Sequence, residues 1–501
     1  MSAFPPLPLG TRIPSSEHAV SCSLPTMRDV CGYEEKNPET VRQLTSGYPR
    51  FVVHPFTRQL VEHLTNGLPA LNGRTLWLTT SERMARQLQA QLGGEAGAAL
   101  FAADGLHGVS HARSETTSSR AKTFLQNVGG FLSSREAEDH LIRLKLRAAR
   151  YPETTYAGDA RARVLDELQH AFRGAGKEDL FLAPSGMSAV YAAFQACAEL
   201  QVARGRTVWL QLGWLYLDTI AILKKFTRTP ADYVYVRDPL DGAALRRIFA
   251  KHGSRIAGVF AEVPTNPLIQ TPDLPALSAL CREHGAKLIV DPSIASVFNL
   301  NLLEHADLVS ASLTKYTASE GDVLAGIVAA NPNGSDAVEL RRRLSEGIEP
   351  IYPRDLARLA VEIGEAESVL ARIEANTRQV AAFLSQHSAV RDVYWALHSA
   401  SRDNFLRIAR SPDATGGVIT FTLRGDLTRF YDRLRIPKGP SFGMKTTLIC
   451  PFMYLAHYDL VTTPAGLAEL AASGLDPDLL RLCCGAEPVD EIIAALAEAL
   501  A

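Results

Sequence analysis

The sequence predicts an α/β protein: a large domain on a mostly parallel sheet, a smaller C-terminal α+β domain, and an N-terminal arm with an extension. Three observations lead there. Strand and helix patterns alternate between residues 177 and 330. The strand candidates in that stretch are short apolar runs, as expected of strands covered on both faces. Beyond residue 346 the pattern changes to one long helical stretch, then a strand, then a terminal helix.

Residues 1–55 form the arm. Prolines recur there (Pro5, Pro6, Pro8, Pro14, Pro25, Pro38, Pro49, Pro55) and hydrophobic periodicity is poor. Tyr33, Tyr48 and Phe51 suit an arm docked on a partner surface. Residues 56–170 form an inserted extension whose role is not readable. Within it 74–80 looks like a strand, and Ser81 opens a helix with Met84, Leu88 and Leu92 on one face. The stretch 105–120, rich in Ser, Thr, Gly and His, reads as a loop. Residues 171–345 form the large domain, with strands at 179–182, 206–210, 232–236, 256–263, 286–291, 306–310 and 323–329. Helices at 188–200, 242–252 and 275–284 separate several of them. Residues 346–501 form the small domain, with a helix over 355–387 broken at most once, a strand at 417–423 and a helix at 489–500.

Composition narrows the function. Apolar residues make up 46% of the 501 and charged residues 21%, which suits a large packed core. Lys+Arg number 52 against 54 Asp+Glu, so no global charge points to nucleic acid or an anionic membrane as partner. Seven cysteines without a Cys-x-x-Cys pair argue against a disulfide scaffold and against zinc. Reduced thiols, no secretory start and no apolar run of about 18 residues predict a cytoplasmic protein.

The chemistry concentrates in three places. Ser312-Leu313-Thr314-Lys315 follows a strand, and ligands of α/β sheets bind beyond strand carboxyl ends. A lysine there can form a Schiff base with an aldehyde while the hydroxyls hold a phosphate, which is what pyridoxal 5′-phosphate requires. Asp291 ends another strand and lies 24 positions before Lys315; a carboxylate there can keep a pyridine nitrogen protonated. Pro184-Ser185-Gly186-Met187-Ser188 joins a strand to a helix whose N-terminus can take an anion. Each segment alone also fits a plainer role, a solvated lysine, a capping aspartate or a serine N-cap. Their order and spacing together make the stronger signal.

On these residues the chain resembles the Cys/Met-metabolism pyridoxal-phosphate enzymes. Glu262-Val263-Pro264-Thr265-Asn266-Pro267 is similar to that family's Ser-Pro-Thr-Asn-Pro signature, the segment 291–326 to its Asp-to-Lys block, and Arg481-Leu482-Cys483-Cys484-Gly485 to its Arg-Leu-Ser-Val-Gly block. Lys438-Gly439-Pro440-Ser441-Phe442-Gly443, His18-Ala19-Val20-Ser21 and Gly47-Tyr48-Pro49-Arg50-Phe51 resemble the fungal-type cystathionine γ-synthases. The resemblance implies fold type I, the aspartate-aminotransferase-like architecture. It implies that Lys315 is the Schiff-base lysine, Asp291 the partner of the pyridine nitrogen and Tyr216 the ring-stacking tyrosine. Asn266 would meet the phenolic oxygen, and Gly186, Met187, Ser312 and Thr314 the phosphate. Tyr48 and Arg50 look like a pair that a neighbouring subunit offers to the phosphate, so the resemblance implies self-association, a dimer of dimers in the family. Arg481 would clamp the substrate carboxylate with Ser441 beside it.

The implied reaction is γ-replacement on an O-acylhomoserine by cysteine, giving cystathionine in methionine biosynthesis. The alternatives are γ-elimination and substitution by sulfide or another nucleophile. The sequence departs from the family pattern at several points. Pro440 replaces a glutamate, Leu217 and Asp218 replace two glycines, and Pro292-Ser293 replaces Asn-Thr. Asp218 thereby becomes a candidate for steering the amine of cysteine. An arginine of succinyl-using enzymes aligns with Ala221, so O-acetylhomoserine is the expected donor.

Overall fold

The computed structural model describes residues 4–48 and 51–501. In the arm, β1 (Arg12–Ile13) and β2 (Ser21–Cys22) pair as a short antiparallel ribbon. In the extension, β3 (Arg74–Thr79), β4 (Ala99–Ala103) and β5 (Leu106–Ala112) form an antiparallel sheet in the order β3-β5-β4. Seven strands follow: β6 (Leu180–Ala183), β7 (Val208–Leu212), β8 (Tyr233–Val236), β9 (Ile256–Glu262), β10 (Lys287–Asp291), β11 (Leu308–Ser312) and β12 (Gly326–Ala330). They form one sheet in the order β6-β12-β11-β10-β9-β7-β8. Strand β12 runs antiparallel to both neighbours, and the pairs from β11 to β8 are parallel.

The sheet is covered on both faces, and the two-residue period of a strand sorts its side chains between them. Leu210, Val259, Leu288, Val290, Val309 and Ile327 join one apolar cluster. Trp209, Phe260, Ile289, Leu308 and Val328 join the other, beneath the helix Gly186–Val202. The last four strands, β13 (Val390–Tyr394), β14 (Val418–Leu423), β15 (Leu448–Pro451) and β16 (Leu480–Cys483), make an antiparallel sheet ordered β13-β14-β16-β15. The arm packs into this sheet's core: Phe4, Leu24, Met27, Val30 and Tyr33 cluster with Ile419, Phe421, Leu480 and Leu482. The helical stretch at 355–387 resolves into Pro353–Glu362 and Ala366–Gln386, joined by the tight turn Ile363–Glu365.

One expectation fails. The stretch 105–120 is not a loop: β5 occupies its first part, and the helix Glu115–Val128 begins within it. Its polar residues are used inside these elements. Ser110 and His111 are buried in the central strand of the small sheet, and Ser114 caps the helix by accepting from the Thr117 amide at 3.2 Å.

The extension is fastened to the large sheet's surroundings by buried charge. Arg135 is 1% exposed. It pairs with Glu153 at 2.7 Å and Asp355 at 3.1 Å, and donates to the Asp322 carbonyl at 2.8 Å. Removing one member strands the others in low dielectric. Arg135→Met is therefore expected to lower stability by about 3–5 kcal/mol, read as a drop in the urea midpoint. A loss below about 1 kcal/mol, the range of exposed pairs, would show that this network is solvated.

Candidate active site

Register brings the chemistry to one edge. Asp291 and Glu262 are paired across β10 and β9, Ser312 faces Gly326 across β11 and β12, and Gly326 faces Ala183 at the end of β6. The loops leaving that edge carry Ser185, Asn266 and Lys315. A cavity of ≈ 340 Å³ opens above them. Gly186, Met187, Tyr216, Asn266, Asp291, Ser312 and Lys315 line it from the large sheet's side. Ser441 and Arg481 line it from the C-terminal sheet's side, and Tyr48 from the arm.

The lysine is held on several sides. Lys315 Nζ donates to Ser441 Oγ at 2.5 Å. The same ammonium lies 4.7 Å from the centre of the Tyr48 ring and 5.0 Å from that of Phe442. Ser441 has φ +81°, and Gly443, at φ +72°, is tight against the Lys315 backbone, where a Cβ would sit 3.2 Å from Lys315 Cα. Arg481 lies between the Phe442 and Phe452 rings, at 5.0 and 4.8 Å. Its Nη1 is 3.4 Å from Asn266 Oδ1 and its Nη2 3.3 Å from the Ser441 carbonyl.

Two carboxylates lie side by side beneath the cavity, Glu262 buried and Asp291 half-buried at its floor. Burial pushes Asp291 up to about 6, although the Ser293 amide, donating at 2.8 Å, pulls the other way. Glu262 is raised well above the carboxylate range by burial and then by Asp291. It accepts from the Tyr216 amide at 2.5 Å. Glu262 thus holds the proton of the pair and leaves Asp291 as the charged member.

Not every expected site residue lines the cavity. Thr314 is turned away from it: its hydroxyl accepts from the Ala325 amide at 3.1 Å and lies 3.4 Å from the Ala325 carbonyl, closing the turn towards β12. Ser293 stands near the place expected for it, its Oγ accepting from the Ser312 amide at 2.9 Å. Asp218 does not line the cavity either. It is fully buried in the first turn of the helix Leu217–Phe226, and its Oδ1 accepts from Gln126 at 3.1 Å and Asn127 at 2.9 Å. Tyr48 lines the cavity, and its carbonyl accepts from the Phe51 amide at 2.8 Å. Arg50 lies outside the described residues.

Sequence reasoning missed Glu34, Lys36, Lys122, Gln126 and Phe442, which also line the cavity. Phe442 was legible beside Ser441; the others come from segments without a motif. Among the described residues, no group of three or more His, Cys, Asp or Glu is placed to hold a metal ion, and no helix is long and apolar enough to cross a membrane.

The family model for Cys/Met metabolism PLP-dependent enzymes matches residues 155–501. The chain belongs to this family. It is a pyridoxal-phosphate enzyme of the trans-sulfuration type with fold type I. The chain is 39% identical over 475 residues to the L-2-amino-4-chloropent-4-enoate dechlorinase/desaturase of Streptantibioticus cattleyicolor, covering 95% of this chain and 94% of that one. It is 26% identical over 621 aligned positions to the cystathionine gamma-synthase of Neurospora crassa, covering 99% and 98%. The crystal structure of cystathionine gamma synthase from Xanthomonas oryzae pv. oryzae superposes with a TM-score of 0.58 at 23% identity, covering 70% of this chain and 88% of that one. That likeness concerns the fold.

The residues present fit the cofactor. They offer a buried amine for its aldehyde, a carboxylate beneath the cavity, and a helix N-terminus for its phosphate. Gly186 lets that terminus approach β11, since a Cβ there would sit 2.7 Å from Ser312 Cβ. The raised Asp291 has a consequence for stability. A carboxyl group whose folded value is raised favours the folded state below its unfolded value, and that contribution is lost as pH rises through about 6. Cofactor-free Asp291→Asn is therefore expected to be about 1–3 kcal/mol more stable than the parent at pH 8, with the gap closing towards pH 4 and with cofactor retention lost. Urea titrations at both pH values check this; equal stability at pH 8 would refute the buried charge.

Proposed function

We propose that this enzyme expels a leaving group from Cγ of an L-α-amino acid, by γ-elimination. The observation that carries the reading is the single cavity in which Lys315, Asp291 and Arg481 meet. Bound pyridoxal phosphate supplies an aldehyde that exchanges amines and a ring that stores the electron pair released at Cα. Lys315 anchors that aldehyde at rest and, once displaced by the substrate amine, carries the proton from Cα. Asp291 keeps the ring nitrogen protonated, and Tyr216 packs on the ring. Gly186, Met187 and Ser312 hold the phosphate with the helix dipole, and Asn266 takes the phenolic oxygen. Arg481 grips the substrate carboxylate with its guanidinium fork, and Ser441 positions the lysine amine. The flanking rings of Phe442 and Phe452 keep water from that guanidinium.

Elimination is favoured over replacement by two observations. The 39%-identical relative carries chlorine on C4 of its named substrate, the γ-carbon, and is named for losing it. Asp218, the residue expected to steer an incoming cysteine, is sealed from the cavity. A second reading is γ-replacement of the acyl group of O-acetylhomoserine by cysteine, giving cystathionine. It is supported by the end-to-end likeness to the Neurospora crassa cystathionine gamma-synthase. In that reading the enzyme serves methionine biosynthesis in the cytoplasm.

Incubation with L-2-amino-4-chloropent-4-enoate or O-acetyl-L-homoserine, with and without cysteine, separates the two. Elimination predicts release of chloride, or of acetate and 2-oxobutanoate, without any thiol. Cystathionine formed only when cysteine is present would establish replacement instead. Lys315→Ala is expected to abolish either turnover; retained activity in that variant would overturn both.

A further inference from the structure

One wall of the cavity comes from segments that precede the matched stretch 155–501. Lys122 and Gln126 project into it from the helix Glu115–Val128. They are four residues apart, so they share one face of that helix. Glu34 and Lys36 of the arm stand with them in the lining. Lys122 and Glu34 are half-buried, and Lys36 sits at the exposed rim with its Nζ 3.0 Å from the Tyr33 carbonyl.

The helix is seated firmly. Gln126 and Asn127 both donate to the buried carboxylate of Asp218, two residues beyond Tyr216. Gly129 ends the helix at φ +65°, where a Cβ would sit 2.8 Å from the Ser188 amide. Its end therefore rests against the start of the helix Gly186–Val202, whose Gly186 and Met187 line the same cavity.

The wall is also electrostatically distinct. Burial lowers Lys122 and the like charge of Lys36 adds to this, while Glu34 opposes it. Burial raises Glu34 up to about 7, against the pull of Lys36. Two lysines thus stand with one carboxyl group in this wall. Lys315, Ser441 and Arg481 already account for the Cα and carboxylate end of an amino acid. Apart from those, this wall supplies the lysines of the lining.

We propose that Lys122, with Gln126 beside it and Lys36 at the rim, forms the subsite for the substrate's γ-substituent and selects a group that is, or departs as, an anion. This rests on the reading that the γ-substituent is expelled here. Cleavage sends the Cγ–X bonding pair away with X, and the compensating pair comes from C–H bonds of the substrate whose proton passes to the protein. The net change is loss of HX and needs no oxidant. An ammonium in a cavity of low dielectric stabilises the departing anion more than water would.

Binding of unreactive amino acids to the holoenzyme, followed by cofactor absorbance, tests the subsite without turnover. L-2-aminoadipate carries an anionic terminus and L-norleucine is its neutral counterpart of similar length. The parent enzyme is expected to bind the former at least tenfold more tightly. Lys122→Met should abolish that preference and Lys122→Arg should keep it, with the binding of L-norleucine changed less than threefold in either. No preference in the parent, or a preference unaltered by Lys122→Met, would overturn the proposal; so would failure to bind either analogue. The γ-elimination reading fails by a different result, namely no release of the γ-substituent from any donor by an enzyme that still shows the anion preference.

Discussion

The structure turns on a buried amine and a pair of neighbouring carboxylates that share one cavity at the end of one sheet. Charges withdrawn from water must be compensated locally, and here the compensation is divided. Burial opposes charge on both carboxyl groups, and on Glu262 the more strongly, with Asp291 adding to it. The amine of Lys315 is met by a hydroxyl and two ring faces. A salt bridge to Lys315 would hold the amine charged and tied. A hydroxyl and aromatic faces hold it in place and leave it able to change partners, which a tethering lysine must do. The positive φ of Ser441 belongs to the same constraint, because it carries the hydroxyl to that amine.

Much of this was legible because parallel sheets impose a strong rule. Helices cover both faces, so the strands read as apolar runs, and function is pushed to their carboxyl ends. Asp291, Ser312 and Lys315 could be found from that rule alone, and the structure brings them to one cavity. The misreadings concern what a side chain faces. Thr314 sits one residue before Lys315, yet its hydroxyl closes a turn to Ala325. Asp218 follows Tyr216 closely, but the first helical turn buries it. Sequence position fixes the neighbourhood of such residues, whereas orientation depends on partners as distant in the chain as Gln126 and Asn127.

The extension was illegible for a related reason. Its Ser, Thr and His residues lie in the central strand of a small sheet and at a helix start, positions whose burial depends on elements elsewhere. Apolar residues such as Val164 and Leu168 join the main core, and a buried ionic network adds to the attachment: Arg135 binds Glu153, Asp322 and Asp355, Arg354 binds Glu138, Asp139 and Glu153, and Arg83 binds Glu349. A residue-by-residue reading assigns such charges to solvated surfaces, since charged side chains are almost never buried unless paired. The pairing is long-range and leaves no local pattern.

The arm and the extension then act on the cavity from one side, and the cofactor's own residues from the other. Tyr48 touches both, since its ring meets Lys315 while its carbonyl opens the turn into the extension. The helix Glu115–Val128, which carries this wall, is held by Asp218 and rests against the start of the helix Gly186–Val202. This separation gives a physical reason why chains sharing one cofactor set and one fold can differ in the γ-substituent they accept. Chemistry at Cα is common to all of them and is set at the sheet edge. In the reading proposed above, the γ-substituent meets a wall built from a different part of the chain.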